Sequence, residues 1–465
     1  MKNKFILLLS VVLLALFVSC ATATSDGAQI GEHNVKHSIV QNDDPKAAAA
    51  QVVNSREKYA DDLVFALDAG FTTFYAEDYE AASSYLAQAE ALIQDRYTKS
   101  ISQDISSYVV NDLEKDYPGE LYEDVAVNIF SALAYYNNGN LDDAMVEIRR
   151  VNNKLVDFEL NIKKQEKGLV DVLLAFTPNP FQDLPSGLGT TSYHYSPLAT
   201  YLSMVFYNMK GDSSNAKVDY SSLKDHQYYV SEEDYNIPAG SGRLNIVSFE
   251  GLIAAKEEEA RNSSFVGLKG INFSLLKKPV SHKVVWPRIK ETADNTAVQS
   301  VTVYVDGKQA TTLSMIESFT QDAKDTLDMT VRTTYLKSYY RGLTKMTAAY
   351  AASEAALKAA NEKIGSISAS GIAGTIAKKA AEVAFNKVED SVYASLNAIN
   401  DTEVADTRMG NYLPSQASVG GVTLSPGSHE VRIVYSLKNG KTIEDVQTVE
   451  IVAGKNTILV STCAK

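Results

Sequence analysis

Between Ala47 and about Lys224 the apolar positions recur with a helical period, and three stretches there repeat one arrangement. They are GFTTFYAEDYEAASSYLAQAEAL from Gly70, ALAYYNNGNLDDAMVEIRRVNNKL from Ala132 and MVFYNMKGDSSNAKVDYSSLKDH from Met204. Each predicts an aromatic-rich helix, a short turn and a second helix. The turns fall at Ala76-Glu77-Asp78, Asn138-Gly139-Asn140 and Lys210-Gly211-Asp212. Ala82, Ala144 and Ala216 stand at a fixed offset behind them, where a small side chain lets two antiparallel helices approach. Gly139 and Gly211 suit helix ends, because glycine takes a left-handed conformation at little cost. The alanines are 62 and 72 residues apart, so extra helices or loops such as Ile101 to Lys115 fill the spaces. AFTPNPFQDLPSGLGTTSYHYSP, between the second and third stretches, is too rich in Pro, Gly and Ser for a helix. It predicts a long loop, either functional or a plug over the helices.

The texture changes at NIPAGSGRLNIVSFEGLIAAKEEEA. Arg243 to Phe249 and Val266 to Phe273 read as strands, and HKVVWPRI follows. SVTVYVDGKQATTL reads as a hairpin turning at Asp306-Gly307. Helices are expected from about Ser314 to Ala360 and from about Gly374 to Ala398. The final stretch alternates Val and Ile between turns at Pro426-Gly427, Asn439-Gly440 and Ala453-Gly454, which predicts a small antiparallel module. Strands from both flanks are expected to meet in one sheet with the intervening helices packed on it. The fold class expected is mainly α with an α+β second half.

The three helical stretches resemble the tetratricopeptide repeat, with Gly70, Ala132 and Met204 at the repeat's first small position. The methionine departs from that pattern. Ala89 matches the later small position, where Val151 and Leu223 do not. The resemblance implies a short solenoid whose first helices line a concave face. It places Phe71, Phe74, Tyr75, Leu133, Tyr136, Asn137, Tyr201 and Asn208 near that face, as peptide contacts or as core between helices. Ala82, Ala144 and Ala216 are the repeat-packing residues.

The amino end changes the picture of where the protein works. Lys2 and Lys4 precede an apolar run from Phe5 to Val18, then Ser19 and Cys20. This is similar to a bacterial lipoprotein signal, in which cleavage before the cysteine leaves a thiol that carries lipid. Phe17 stands where that motif usually has Leu. The similarity implies acylation of Cys20 and a lipid-anchored place in the bacterial cell envelope, at the outer membrane on its periplasmic or surface face. ATATSDGAQIGEHNVKHSIVQNDDPK then reads as a flexible tether. His33 and His37 sit four apart, but no third ligand accompanies them, and no metal site is expected. The expected parts are a leader (1–19), a tether (20–46), a helical domain (47–236) and an α+β domain (237–465).

The chain of 465 residues has a formal charge of −13, which becomes −15 once Lys2 and Lys4 leave with the leader. Such an acidic chain is a poor candidate for nucleic acid. With Cys20 acylated, Cys463 has no partner, so a core rather than a disulfide framework must hold the fold. No later run is long and apolar enough for a membrane span. IGSISASGIAGTIAKKAAEVAF, from Ile364, has three readings: a membrane-touching segment, a helix–helix seam, or a loop feeding a packed helix.

The order of parts resembles a family of uncharacterised bacterial lipoproteins. The residues that carry this are Gly251 with Lys256-Glu257-Glu258; Arg332, Arg341 and Lys345; and Asp406, Arg408, Leu413 and Pro414. Gly410-Asn411-Tyr412 departs where that family has a Trp, and Ala255 where a Pro often stands. The resemblance implies an envelope role, because some members are encoded beside a lipoprotein activator of peptidoglycan synthases; it implies no reaction.

No catalytic set emerges from the sequence. Asn439 to Thr442 reads NGKT, but Tyr435 stands where a phosphate loop needs its first glycine. Gly240-Ser241-Gly242 lacks the spacing of a nucleophile elbow. Asp406 and Arg408 read as an ion pair at a domain seam. No cofactor is expected. The functional expectation is an envelope-anchored scaffold binding a protein or peptide partner through its helices; the alternative is a cell-wall or glycan-acting enzyme of unrecognised type.

Overall fold

A computed structural model describes residues 39–40, 44–56, 62–102, 108–264, 273–289, 296–368 and 370–465. The leader, Cys20, His33, His37, most of the tether and most of the candidate strand from Val266 lie outside the described residues.

Seven α-helices come first among the described residues: α1 (Pro45–Val53), α2 (Leu63–Tyr75), α3 (Tyr79–Ser102), α4 (Leu121–Asn137), α5 (Leu141–Leu173), α6 (Pro197–Met209) and α7 (Ser213–Asp225). The chain docks earlier than expected, since Ile39 is already buried in the main core and α1 begins at Pro45. The three predicted helix pairs are α2/α3, α4/α5 and α6/α7. Each second helix starts right after its turn, and Asn140 and Asp212 cap α5 and α7 by accepting from Asp143 N and Asn215 N at 3.2 and 3.1 Å. Ala82, Ala144 and Ala216 are fully buried. Gly139 and Gly211 have φ of 81° and 78°. In the first pair Glu77 takes the same left-handed region at φ 62°.

The second half is α+β. Its strands are β1 (Gly242–Glu250), β2 (Lys256–Ser264), β3 (Ser281–Ile289), β4 (Val298–Val305), β5 (Lys308–Thr312), β6 (Ser314–Glu317), β7 (Gln416–Leu424), β8 (Gly427–Leu437), β9 (Thr442–Ile451) and β10 (Asn456–Cys463). Two long helices, α8 (Phe319–Ser366) and α9 (Gly371–Asp401), lie between β6 and β7. The expected single sheet is three: β10-β1-β7-β6, β5-β4-β8-β9 and the pair β2-β3. Strands from both flanks do interleave, with β1 between β10 (parallel) and β7 (antiparallel) and β4 beside β8. β2 stays out because KEEEARNSS carries too much charge for a covered strand; it pairs with β3, which packs on α8. Ser314–Glu317 is a strand where a helix was expected, and Ser318 caps α8 behind it by accepting from Gln321 N at 3.2 Å.

β1 is buried at all nine positions because it is covered on both faces. Its alternation sorts the side chains: Leu244 and Ile246 enter the core against the second four-stranded sheet, while Val247 and Phe249 enter the core against the helices. The layers are therefore helices, sheet and sheet. Phe249 stacks on Phe130 at 4.5 Å and meets Phe74 edge-on at 6.1 Å.

This arrangement corrects the expected peptide face. The side that would be an open groove is filled by β1, β10 and α8. Phe71, Phe74, Tyr75, Leu133 and Tyr201 are buried. Tyr136 is half-buried, and its hydroxyl accepts from Ile458 N of β10 at 2.9 Å. Asn208 accepts from Asn456 Nδ2 at 2.7 Å and donates to Tyr235 O. Asn137 Nδ2 donates to Leu133 O within its own helix, at 2.8 Å. Seven of the eight serve the interior or its rim, because a sheet occupies the concavity; Asn137 is exposed at the end of α4.

Candidate functional site

The helical half and the α+β half are latched by the irregular segment 402–414, between α9 and β7. Irregular backbone inside a protein needs partners for its polar groups, and side chains from both halves supply them. Ala405 N donates to Glu258 Oε2 at 2.8 Å, and Gly410 N to Glu123 Oε1 at 2.7 Å. Asn411 donates through N and Nδ2 to the two oxygens of Asp68, at 2.7 and 2.8 Å. Tyr75 OH donates to Tyr412 O at 2.7 Å.

Three buried or half-buried ion pairs brace the latch. Arg341, its side chain 2 % exposed, forks onto Glu403 with Nε and Nη2 at 2.8 and 2.6 Å from Oε1. Ser338 Oγ fixes that carboxylate at 2.9 Å and accepts from Val285 N at 3.0 Å. Arg408 pairs with Asp406 at 2.8 Å and also donates to the carbonyls of Lys115 and Asp112, at 2.9 and 3.0 Å. Lys256 pairs with Glu120 at 2.7 Å and lies 5.1 Å from the centre of the Tyr117 ring. The structure thus gathers Lys256, Arg341, Asp406 and Arg408, which lie far apart in sequence. Arg332 is elsewhere, paired with Glu166 at 2.8 Å and stacked on Phe181 at 4.1 Å. The long loop before α6 docks there too, with Gly189, Thr190 and Thr191 N each donating to Asp328 at 2.9 Å.

Beside the latch runs a trough of two adjoining hollows, about 520 and 470 Å³. They share Tyr97, Phe158 and residues 118–120, and the Tyr97 and Phe158 rings stack at 5.8 Å. In the first hollow Lys154 bridges Glu90 and Asp124 at 2.8 and 2.6 Å, and Arg150 reaches Glu90 at 2.7 Å. Burial works to raise both carboxyls. For Glu90 the two cations outweigh burial and hold it below the usual range; for Asp124 burial prevails and its pKa is raised.

The second hollow is walled by Tyr108, Lys115 and the α8 residues Thr330, Thr333, Thr334, Lys337 and Arg341. Asp112 sits behind it; burial would raise its carboxyl, but Arg341, Lys337 and Lys115 hold it below the usual range. Burial lowers the Lys337 amine, with Asp112 opposing. Among the described residues Lys337 makes no salt bridge; its ammonium lies 5.1 Å from the Tyr108 ring centre. Thr333 Oγ1 is buried there without a hydrogen-bond partner among the described residues. A cation, a row of hydroxyls and aromatic walls can take an extended ligand bearing an acceptor or anionic group. Sequence reading missed this site, and none of the eight expected face residues lines it. Among the described residues no three His, Cys, Asp or Glu side chains converge as metal ligands.

No family model, curated protein or solved structure matches the chain.

Proposed function

We propose that this chain is an envelope-anchored binding protein, and that the trough between its halves, rather than a concave helical face, receives an extended peptide-like partner. The observation that supports it is Lys337, a cation that makes no salt bridge among the described residues and lies against the Tyr108 ring in a roomy hollow. In the adjoining hollow Glu90 and Asp124 share Lys154, which favours binding over a hydrolase with two working carboxyls. The helix pairs, with their buried alanines, are read as tetratricopeptide-like units that build one wall. Acylation of Cys20 holds the body at the membrane and raises the local concentration of any envelope partner.

The test is a photocrosslinking residue at Thr334 in living cells, with mass identification of the adduct. The expected result is a peptide-containing adduct that Lys337→Glu abolishes. The same adducts from a photocrosslinker at exposed Lys308, or indifference to Lys337→Glu, reject the trough. Cys20→Ser should abolish palmitate labelling; continued labelling rejects the anchor.

A further inference from the structure

α8 and α9 pack together as a helical hairpin, and α8 alone, 48 residues long, extends about 70 Å. The near part is built into the body through Tyr335, Tyr339 and Tyr350. Toward the far end the last buried side chains in the seam are Leu357 on α8 and Ala381 on α9. No described residue from 358 to 380 is buried, so the tip stands clear of the rest of the protein.

The chemistry of this tip is unlike that of the body. Ile372 and Ile376 are 82 % and 65 % exposed, and Ile364 and Ile367 are half-exposed. Burying such side chains is favourable, yet no described residue covers them. From Lys363 to Ala381 the sequence holds Lys363, Lys378 and Lys379 and no acid. The chain as a whole is at −13, so these three lysines leave −16 on the rest. The positive charge is set directly behind the apolar residues on both helices: Lys363 precedes Ile364, and Lys378 and Lys379 follow Ile376. Between the isoleucines stand Gly365, Ser366, Gly371, Ala373 and Gly374, which give a blunt end with few knobs for a protein socket.

We infer that this tip seats on an anionic bilayer surface, with the isoleucines entering the headgroup boundary and the lysines at phosphate level. A bilayer accepts apolar side chains without shape matching, and lysine stems reach back to its charged surface. The acidic body is repelled by the same surface, so the hairpin orients the molecule tip-down. This inference needs neither the trough nor the lipid anchor.

The test uses the full chain with Cys20→Ser and Ile372→Cys, labelled with the environment-sensitive dye NBD; Cys463 is buried and stays unlabelled. Vesicles of phosphatidylglycerol and phosphatidylcholine should shift the emission to the blue, while phosphatidylcholine alone should not. Adding Lys378→Glu and Lys379→Glu should weaken binding by about 10-fold or more, since each lysine near an anionic surface contributes about a factor of five. A label at Lys308→Cys should stay unchanged, and circular dichroism should show the same melting curve for every variant. No shift with anionic vesicles, or an equal shift with neutral ones, overturns the inference. So does a shift that grows with protein concentration without vesicles, which would mean that a second copy covers the tip.

Discussion

Gly342 of α8 lies flat against the imidazole of His282 on β3: a Cβ at Gly342 would stand 2.2 Å from Cδ2 of that ring. The ring also meets Tyr339 edge-on at 4.9 Å, and burial drives its pKa down to about 3. The contact lets the β2-β3 pair sit close on the helix. Gly342→Ala should force them apart and cost about 1–3 kcal/mol. Urea unfolding should show a lower midpoint with an unchanged slope, and His282→Ala in the same chain should restore part of the loss.

Arg341 and Glu403 form a pair whose value depends on both members being present. Glu403→Gln leaves a buried guanidinium with only the longer contact to Asp112, 3.4 Å, and should cost about 3–5 kcal/mol. Arg341→Met with Glu403→Leu should recover much of that. A double-mutant cycle by urea denaturation measures the coupling; strict additivity would count against a latch.

Glu250 is fully buried, and burial lifts its pKa to about 7 despite hydrogen bonds from Gln416 and Ser418. The folded state therefore holds its proton more tightly than the unfolded chain. Its contribution is greatest below about pH 4.5, falls as pH rises through 7 and then levels off, a span of roughly 3 kcal/mol at most. Glu250→Gln should flatten this slope. The check is the stability difference between variant and parent at pH 5 and pH 8, which should move in favour of the variant at the higher pH.

Phe74 distinguishes core from groove. It touches Phe130, Tyr79 and Phe249 in edge-on geometry, at 4.7, 5.3 and 6.1 Å. Phe74→Ala should cost about 3–5 kcal/mol in thermal or urea unfolding. A fold stable to this change would place the ring outside the core.

Local features were legible where local chemistry sets them. Asp306-Gly307 and Asn439-Gly440 turn their hairpins as read; Asp306 and Gly307 have φ of 48° and 76°, and Gly440 has 80°. The helix pairs were legible for the same reason, through glycine ends and buried alanines. What faces a helix was not. The pattern at Phe71, Phe74 and Tyr75 suits a groove or a core equally, and the choice rests on Phe249 and Phe319, far away in the chain. The trough was hidden likewise. Lys337 and Thr333 sit on a helix, Tyr108 on a loop, and no spacing links them before the chain folds. Asp406 and Arg408 are the exception, since a pair two residues apart can be read directly.

The placement of β10 beside β1 has a consequence in time. Asn245 and Asn456 meet at 2.8 Å across 211 residues, and β7, the other neighbour of β1, also comes late. At about 5–20 residues per second, roughly 10–40 s of synthesis separate β1 from its partners. Throughout that interval its apolar side chains and ladder groups are unmatched, and the aromatic residues of α2 and α4 lack their cover. A chain built this way can close its central sheet only once the final strand is made. The same delay would keep the chain threadable if, as proposed, it crosses a membrane before it folds.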